Sequence, residues 1–438
     1  MNLVGVRVCV AGTGITGASA VEVLTALGAD VVTADRRDGS DVVVPLGTGL
    51  VIASPGWPPT HPLLVAAASA GVPVWGDVEL AWQLRPSGQQ WLGVTGTNGK
   101  TTTVQMLESM LTAGGRRAVA AGNVGYPVLD AVRADPAYDV LAVEVSSFQL
   151  HRTVTVEFDA AVILNIAEDH LDWHGSLESY AADKALIWRG AGTNGTAVAN
   201  ADDPLVARLA ADISGAVWFT LSDPGPGQLG VTDGALLDRT GDGAGMVLAG
   251  VEDVTPAAPH NVANALAAAA LARSAGVAPD AVRDGLRAFS PGGHRIAHVA
   301  TVAGVDYVDD SKATNPHAAT ASLRAFDRVV WVAGGLAKGA RFDEVVRATS
   351  QRLRGVVLLG RDRALVAQAL ERHAPQVPVV EVQGTDTGAM DDVVRAAAGL
   401  ARRGDTVLLA PACASMDMFR DYGARGDAFA DAVRRLGT

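Results

Sequence analysis

The sequence predicts an α/β protein of three domains: a Rossmann-like N-terminal domain, a central P-loop mononucleotide-binding domain and a Rossmann-like C-terminal domain. At 438 residues the chain is too long for one ordinary core, and its length suggests roughly three domains. Short apolar strands alternate with helical segments, and glycine-rich turns follow two of the strands. We place the domains at residues 1–89, 90–290 and 291–438.

Residues 91–103 are a predicted buried strand that turns through glycines into a helix. Gly96 and Gly99 allow a tight turn that directs backbone N–H groups at an anion. Lys100 supplies a positive charge for the outer phosphates, and the Thr101 hydroxyl can hold a magnesium ion. A glycine-rich turn without a ligand is common for isolated glycines but not for Gly-Lys-Thr at a strand-to-helix junction. The segment therefore predicts a phosphate-binding loop.

Four of the 35 basic residues are lysines: Lys100, Lys184, Lys312 and Lys338. In a chain so strongly biased toward arginine, a lysine marks a position where a compact or reactive ammonium group is needed. We therefore treat all four as candidate functional residues.

Composition excludes several classes of protein. The net charge of −12 argues against a general nucleic-acid or anionic-membrane binder. Two distant cysteines, Cys9 and Cys413, indicate a reducing compartment without a disulfide framework. The N-terminus reads as a first strand and not as a signal peptide, and no apolar run is long enough for a membrane span. We expect a cytoplasmic protein.

Residues 6–35 predict a strand, a Gly12–Gly17 turn, a helix to about Leu27 and a second strand that ends at Asp35. This is the dinucleotide-binding pattern, with its acidic residue at nearly the expected distance. Taken alone it favours a nicotinamide or flavin cofactor. A uridine nucleotide could use the same turn for its phosphates and the same carboxylate for ribose or base, and a turn with nothing bound is the third alternative.

The rest of the first domain continues the alternation. A strand over residues 51–56 runs into a turn, a helix starts near His61, a further strand lies within residues 71–77, and residues 77–84 look helical. Residues 85–90 are the linker to the phosphate loop.

In the central domain, the strand over residues 139–144 ends in Glu144. A carboxylate at the carboxyl end of a buried parallel strand is where α/β nucleotide enzymes hold a metal, so Glu144 is a magnesium candidate. His170 follows the end of the next strand, residues 160–165, and is a candidate second metal or substrate contact. The alternative for His170 is a purely structural role.

Two further central segments have open interpretations. Lys184 lies within an apolar helical pattern, where its alternative role is a snorkelling side chain. Asn261 and Asn264 open an alanine-rich helix, and their amides could contact an adenine or cap the helix. Residues 222–250 read as small strands or loops without obvious chemistry.

A third α/β domain follows a Pro-Gly-Gly-His hinge at residues 291–294. Its predicted strands are Val305–Asp309, Val329–Ala333, Gly355–Leu359, Val379–Val382 and Thr406–Ala410. Three polar segments follow these strands, at residues 310–315, 334–339 and 411–416.

These motifs together resemble the ATP-dependent Mur ligases of peptidoglycan synthesis, and the resemblance extends over all three domains. The motifs that carry it are Gly-Val-Thr-Gly-Thr-Asn-Gly-Lys-Thr-Thr (93–102), Glu-Val-Ser-Ser-Phe-Gln-Leu (144–150), Asn-Ile-Ala-Glu-Asp-His-Leu-Asp (165–172), Tyr-Ala-Ala-Asp-Lys (180–184), His-Asn-Val-Ala-Asn (260–264), His-Arg (294–295), Asp-Ser-Lys-Ala-Thr-Asn (310–315) and Pro-Ala-Cys-Ala-Ser (411–415). The family tolerates Val94, where a strict Walker pattern has glycine.

The resemblance is strongest to the branch that adds D-glutamate to UDP-N-acetylmuramoyl-L-alanine. It implies that the first domain binds the UDP part of this substrate and no nicotinamide. The implied UDP-substrate contacts are Gly14, Ile15, Thr16, Asp35, Arg36, Ser54, Gly56, Asn123 and Ser146. The implied ATP contacts are Gly96, Thr97, Asn98, Gly99, Lys100, Thr101, Thr102, Asn261, Asn264, Arg295 and Asp310. The implied amino-acid contacts are Lys312, Thr314, Lys338, Ser415, Met416 and Tyr422, the last standing where the family suggests phenylalanine.

The same resemblance implies the chemistry. A substrate carboxylate attacks the γ-phosphate of ATP, and the amine of D-glutamate displaces phosphate from the resulting acyl phosphate. Two Mg²⁺ ions are implied, one on Thr101 and Glu144 and one on His170 and Lys184. Lys184 can be a ligand only after carbon dioxide has carbamylated its amine. Lys100, Glu144, His170 and Lys184 are thus the implied catalytic residues of a monomer that acts on small molecules, without nucleic-acid or membrane partners.

Three alternatives stay open at this point. The first is a sibling ligase or a folylpolyglutamate-type ligase that adds another amino acid, although the Asp-Asn-Pro-Arg run expected of the diaminopimelate-adding sibling is absent from the sequence. The second is an NAD-dependent oxidoreductase with an accessory domain. The third is a non-catalytic nucleotide-sensing protein, which the intact set of four catalytic candidates disfavours.

Overall fold

Three β-sheets with their connecting helices make up the structure, a computed structural model that describes residues 2–35, 43–123, 125–241, 245–384 and 386–436. The chain divides into two compact units, one of residues 1–166 and 173–289 and the other of residues 167–172 and 290–438. The predicted α/β class is confirmed, and the described residues form three sheets. Within the described ranges, no helix is both long and apolar enough to span a bilayer.

The N-terminal sheet has four parallel strands in the order β2-β1-β3-β4. Its elements are β1 (Arg7–Ala11), α1 (Ile15–Ala26), β2 (Asp30–Ala34), β3 (Thr48–Ala53), α2 (Pro62–Ser69), β4 (Val74–Trp75) and α3 (Asp77–Leu84). His61 caps α2 by accepting a hydrogen bond from the Leu63 N–H, so the predicted start of that helix is confirmed. The parallel order brings the carboxyl ends of β1, β2 and β3 to one edge.

The central sheet has nine strands in the order β13-β12-β11-β10-β9-β8-β5-β7-β6. Its elements are β5 (Gln90–Thr95), α4 (Lys100–Ala113), β6 (Ala118–Gly122), α5 (Val128–Val132), β7 (Val140–Glu144), α6 (Ser147–Leu150), β8 (Ala160–Ile163), α7 (Leu171–His174), α8 (Leu177–Ala185), β9 (Thr196–Asn200), α9 (Pro204–Ala210), β10 (Val217–Phe219), β11 (Gln228–Thr232), β12 (Ala235–Asp238), β13 (Met246–Gly250), α10 (Pro259–Ser274) and α11 (Pro279–Ala288). The last three strands are joined antiparallel, which resolves the region of residues 222–250 into a small meander.

The first two sheets share part of their core. One cluster of buried apolar side chains contains Val8 and Leu24 from the N-terminal sheet and its helix together with Trp91 and Leu141 from the central sheet. This common core explains why residues of both sheets belong to one compact unit.

The C-terminal sheet has six strands in the order β14-β15-β19-β16-β17-β18, parallel except for β14. Its elements are β14 (Ala297–Val302), β15 (Val305–Asp309), α12 (Pro316–Arg324), β16 (Val329–Gly334), α13 (Asp343–Thr349), β17 (Leu353–Leu359), α14 (Arg363–His373), β18 (Val379–Glu381), α15 (Ala389–Leu400), β19 (Thr406–Leu409) and α16 (Tyr422–Leu436). All five predicted strands are confirmed to within two residues. Cys9 and Cys413 are both buried free thiols, as expected.

Candidate active site

The phosphate loop connects β5 to α4, as predicted. Gly99 is the N-cap of α4 in the left-handed region, with φ +87°, and has no side chain with which to cap the helix. A Cβ atom at Gly99 would lie 2.3 Å from Asn264 Oδ1, so only glycine fits here. Thr101 and Thr102 stand in the first turn of the helix. The loop therefore presents the positive end of a 14-residue helix, a suitable site for an anion.

Two lysines meet at this loop. Lys100 Nζ donates to the carbonyl oxygens of Gly96 at 2.9 Å and Thr97 at 3.0 Å. Lys184 Nζ, from α8, donates to the same Gly96 oxygen at 2.8 Å and lies 3.4 Å from Thr95 Oγ1. Lys184 is only 1% exposed, which is incompatible with a snorkelling side chain. Two ammonium groups so close together create a strongly positive site beside the loop.

Asn165, to which the sequence analysis gives no role, holds the loop in place. Its side chain accepts from the Asn98 N–H at 2.8 Å and donates to the Asn98 carbonyl at 3.1 Å. Its own carbonyl accepts from the Thr97 N–H at 2.9 Å. Tyr180 adds a contact of 3.1 Å between its hydroxyl and Thr97 Oγ1. Two sequence signals point to Asn165: it is the first residue of the motif at residues 165–172, and it lies two residues after the buried strand β8, at the edge where parallel strands end.

Glu144 lies at the end of β7 and is 1% exposed. Its Oε1 accepts from Asn123 Nδ2 at 3.0 Å, whereas Oε2 has no hydrogen-bond partner among the described residues. A buried carboxylate oxygen without a partner is costly unless a cation or water satisfies it. Glu144 therefore fits a magnesium ion. Across the described ranges there is no cluster of three or more His, Cys, Asp or Glu side chains suited to a metal, so other ligands would have to complete the coordination.

Asn261 and Asn264 lie in the first turns of α10, and both are buried. Asn261 Nδ2 donates to the Pro256 carbonyl at 3.2 Å, and Asn264 Nδ2 lies 3.4 Å from Asn261 Oδ1. Because Asn264 Oδ1 lies against Gly99, this pair borders the phosphate loop. The structure thus brings the two asparagines to the predicted nucleotide site.

The predicted UDP-substrate residues of the first sheet converge at the ends of its strands. Gly14 is the N-cap of α1, without a capping side chain, and Ile15 is 82% exposed. Thr13 Oγ1 donates to the Asp35 carboxylate, and Ser54 Oγ donates to the Gly12 carbonyl at 3.3 Å. Exposed Gly56 lies in the turn after β3, and Thr16 lies in the first turn of α1. Arg36 lies outside the described residues.

The central sheet contributes Asn123 and Ser146 to the same predicted substrate site. Asn123 is exposed apart from its bond to Glu144. Ser146 caps α6 through a reciprocal capping box with Gln149. Gln149 Nε2 in turn donates to buried Asp77 at 2.9 Å, which connects α6 to the N-terminal domain. Ser146 therefore has a clear structural role in addition to its predicted substrate contact.

In the second unit, Asp310 directly follows β15 and is buried. Burial raises its pKa to about 6, although Ser322 Oγ and the Ile296 N–H both donate to it. Arg295 precedes Ile296, so its backbone is adjacent to this carboxylate. Asp310 is thus a perturbed acid at the end of a parallel strand, a common position for a ligand contact.

Five of the six predicted amino-acid residues lie on three loops of the same sheet, and the sixth, Tyr422, is the first residue of α16. Lys312 Nζ lies 4.1 Å from the centre of the Tyr422 ring and makes a cation–π contact with it. Ser415 is buried, and Met416 is 60% exposed. Thr314 is half-buried in the loop after β15, and Lys338 is exposed, with φ +49°, in the loop after β16.

Arg425 is a residue of this region that the sequence analysis does not select. It is 1% exposed, and burial lowers its pKa to about 10. Its guanidinium donates to Ser311 Oγ and the Ser311 carbonyl, both at 2.9 Å, and to the Cys413 carbonyl at 3.0 Å. These bonds tie the loop of Lys312 to that of Ser415. An arginine among many gives no sequence signal for such a role.

His170 belongs to residues 167–172, which are part of the second unit. Its backbone has φ +55°, and its N–H donates to Asp169 Oδ1 at 3.0 Å. A positive φ is unusual for a residue other than glycine and is often found at functional sites. Its role at a metal stays a prediction.

Comparison with known proteins identifies the family. Residues 94–272 match the Mur ligase middle domain, and residues 294–413 match the Mur ligase glutamate ligase domain. The chain belongs to the Mur ligase family. Family membership decides against the oxidoreductase interpretation of the Gly12–Gly17 turn.

Two curated relatives match this Mur ligase over its whole length. Each is named UDP-N-acetylmuramoylalanine–D-glutamate ligase. The relative from Streptomyces avermitilis is 57% identical over 100% of this chain and 99% of its own length, and the one from Thermobifida fusca is 57% identical over 100% of both. Among solved structures, a pseudomurein peptide ligase type C from Methanothermus fervidus superposes with a TM-score of 0.64 at 17% identity, covering 99% of this chain and all of its own. That last likeness concerns the fold alone.

Proposed function

We propose that this Mur ligase joins D-glutamate to UDP-N-acetylmuramoyl-L-alanine at the expense of ATP, with release of ADP and phosphate, in the synthesis of a peptidoglycan precursor. The observation that supports the choice of substrates is the full-length identity of 57% to relatives named for this reaction. The domain limits of residues 1–89, 90–290 and 291–438 and the cytoplasmic location are part of the proposal.

The first step requires a site that neutralises transferred phosphate. The substrate carboxylate attacks the γ-phosphorus, the bond from phosphorus to the β-phosphate oxygen breaks, and ADP leaves. Negative charge spreads over the γ-phosphate oxygens during this step. Lys100, at the start of α4, is the residue that would bind these oxygens. The two hydrogen bonds between the Asn165 side chain and the Asn98 backbone would fix the conformation of the loop before ATP binds. Charge that is already in position is usually the largest catalytic contribution.

In the second step the amine of D-glutamate attacks the acyl carbon, and a tetrahedral intermediate forms. Phosphate leaves with one oxygen of the former carboxylate, and the amine loses a proton. Lys312 and Lys338 are the cations that would match the two carboxylates of D-glutamate, with Ser415 and Tyr422 beside them. Arg425 keeps two of these loops together through its bonds to Ser311 and Cys413.

Two magnesium ions complete the proposal. Thr101 and Glu144 would hold one, for which the unpartnered Oε2 of Glu144 is the supporting observation. His170 and Lys184 would hold the other, with Lys184 carbamylated by carbon dioxide. A carbamate would replace one of two neighbouring ammonium groups by an oxygen donor, which suits a hard cation. When bound, the ions supply positive charge to the phosphates.

Isotope transfer tests the proposed chemistry. UDP-N-acetylmuramoyl-L-alanine labelled with ¹⁸O in its terminal carboxylate is incubated with enzyme, ATP, Mg²⁺ and D-glutamate. We expect one ¹⁸O atom in each released phosphate. The carboxylate oxygen that bonded to phosphorus in the first step leaves with the phosphate, whereas the other carboxylate oxygen stays in the amide. Unlabelled phosphate accompanied by the amide product would contradict the acyl-phosphate route.

A further inference from the structure

Three polar side chains of the first unit form a hydrogen-bonded row close to the phosphate loop. Ser147 Oγ lies 2.9 Å from His174 Nε2, and His174 Nδ1 lies 2.9 Å from Asp183 Oδ2. An ionised carboxylate can only accept, so Nδ1 carries a proton and Nε2 faces the hydroxyl. The order of groups is that of a serine hydrolase triad. Ser147, however, is only 2% exposed, so its oxygen cannot act on a substrate.

The row joins segments that the proposed reaction needs to keep in register. Ser147 is the first residue of α6 and follows Glu144 and Ser146 closely in the chain. Asp183 belongs to α8 and directly precedes Lys184. His174, the last residue of α7, is the only member that reaches both partners. The row therefore links the segment of the magnesium candidate to the helix that places Lys184 on the Gly96 carbonyl.

The imidazole is fixed by packing as well as by hydrogen bonds. The side chain of His174 is fully buried. Its ring stacks on Phe148, with centroids 5.3 Å apart and planes 8° from parallel, and meets the Tyr180 ring edge-on at 5.1 Å. The Tyr180 hydroxyl in turn contacts Thr97 of the phosphate loop. His174 is therefore held rigidly between α6 and α8. Such rigidity is needed if this residue is to fix the position of one helix relative to the other.

We propose that His174 is a positioning residue for the ligase reaction, which holds helix α8, and with it Lys184, in register with the Glu144–Ser147 segment. This inference rests on the proposed function. A histidine that only filled the core would need a partner for its polar atoms, but not partners on two different functional segments. Misplacement by about 1 Å at such a site can cost about 100-fold in rate.

Two substitutions at His174 test separately its contact with Asp183 and its contact with Ser147. His174→Asn keeps an amide near the Nδ1 position, toward Asp183, and His174→Gln keeps one near Nε2, toward Ser147. We expect each variant to lower kcat by about tenfold or more, with the KM for the UDP substrate and the Kd for ATP changed less than about threefold. Adding His174→Asn to Lys184→Ala should cost little further activity, since both substitutions disturb the same group.

His151 provides the matched control. Its Nδ1 lies 2.9 Å from Asp183 Oδ1, the other oxygen of the same carboxylate. The His151 side chain is partly exposed, and its only link to Ser147 is through the backbone, where the His151 N–H donates to the Ser147 carbonyl at 2.9 Å. His151→Gln should leave kcat within about twofold of wild type, as expected for the loss of a partly exposed side-chain contact. If neither His174 variant folds, Ser147→Ala, which removes one end of the row with little change of volume, decides by the same kcat criterion.

Wild-type enzyme in the same assay distinguishes failure of the proposed function from failure of the positioning role of His174. If wild type does not ligate D-glutamate, the proposed function is wrong. If wild type is active but folded His174 variants retain kcat within about twofold, the positioning role is wrong. Fully additive losses in the double variant would also overturn it, because independent destabilisation predicts additivity.

Discussion

Lys100 and Lys184 donate to one and the same oxygen, the carbonyl of Gly96, at 2.9 and 2.8 Å. The first lysine begins α4 and the second lies on α8, 84 positions further along the chain, so this arrangement is a product of the fold. Like charges this close are unfavourable unless an anion or a chemical change compensates them. The phosphates of ATP and the carbamylation of Lys184 are the two compensations that the proposed reaction offers, and each can be tested.

Lys100→Ala should lower the rate of ligation by about 100-fold or more, because the transferred phosphate loses its closest cation. Binding of the UDP substrate should stay within about twofold of wild type, since its predicted contacts lie on the first sheet and at Asn123 and Ser146. Calorimetry with the UDP substrate checks the second expectation. Loss of that binding in a folded variant would show that the two phosphate sites are not separate.

Lys184→Arg should be as damaging to activity as Lys184→Ala, with the fold retained, because a guanidinium cannot form the carbamate. Acetate or formate should partly rescue Lys184→Ala by replacing the lost oxygen ligand. With ¹³C-bicarbonate, the wild-type spectrum should contain a carbamate carbon signal that Lys184→Arg lacks. A fully active Lys184→Arg enzyme at saturating Mg²⁺ and bicarbonate would refute carbamylation.

Glu144→Gln should raise the Mg²⁺ concentration needed for half-maximal activity by about tenfold or more. The substitution replaces the carboxylate, whose Oε2 has no hydrogen-bond partner among the described residues, by a neutral amide that binds Mg²⁺ less well. Without Mg²⁺, the melting temperature should not fall, since no hydrogen bond to Oε2 is lost. Magnesium titrations of phosphate release and thermal unfolding measure both quantities. An unchanged magnesium requirement would exclude Glu144 as a ligand.

Asp310→Asn tests the buried acid of the second unit. A folded-state pKa of about 6, against an ordinary value of 3.8, means that the stabilising effect of the protonated acid is complete below pH 3.8 and is lost as pH rises through 6. The neutral variant avoids this loss. Its free energy of unfolding, relative to wild type, should therefore rise by about 1–2 kcal/mol between pH 5 and pH 8.

Urea unfolding at the two pH values measures this difference. Asp327→Asn, at a fully exposed side chain, controls for the removal of one charge. A gain in Asp310→Asn that is the same at pH 5 and pH 8 would contradict a raised pKa.

The sequence predicts those parts of the fold and site that local patterns determine. The phosphate loop, the strand ending at Glu144 and five of the six strands of the third sheet follow from apolar runs and glycine turns. No strand is predicted at Ala118–Gly122, because its three alanines and one glycine carry little strand preference and Val119 is its only β-branched residue. None is predicted at Ala297–Val302 either, an edge strand with partly exposed side chains.

Side-chain partnerships across distant segments cannot be read from the sequence. Asn165 lies within a recognised motif, but its bonds to the loop 67 positions earlier exist only in the folded chain. The same holds for His174, whose partners come from two other helices, and for Arg425, whose bonds to Ser311 span 114 positions. Burial and pairing of these polar groups depend on tertiary packing.

The most direct test of the proposed function is phosphate release with ATP, Mg²⁺ and UDP-N-acetylmuramoyl-L-alanine against a panel of D-glutamate, L-glutamate, L-alanine, L-lysine and diaminopimelate. Lys100→Ala serves as the inactive control, and mass spectrometry identifies the product. We expect release with D-glutamate alone, matched one to one by an amide product. Release that depended on L-lysine or diaminopimelate, with no response to D-glutamate, would contradict the account.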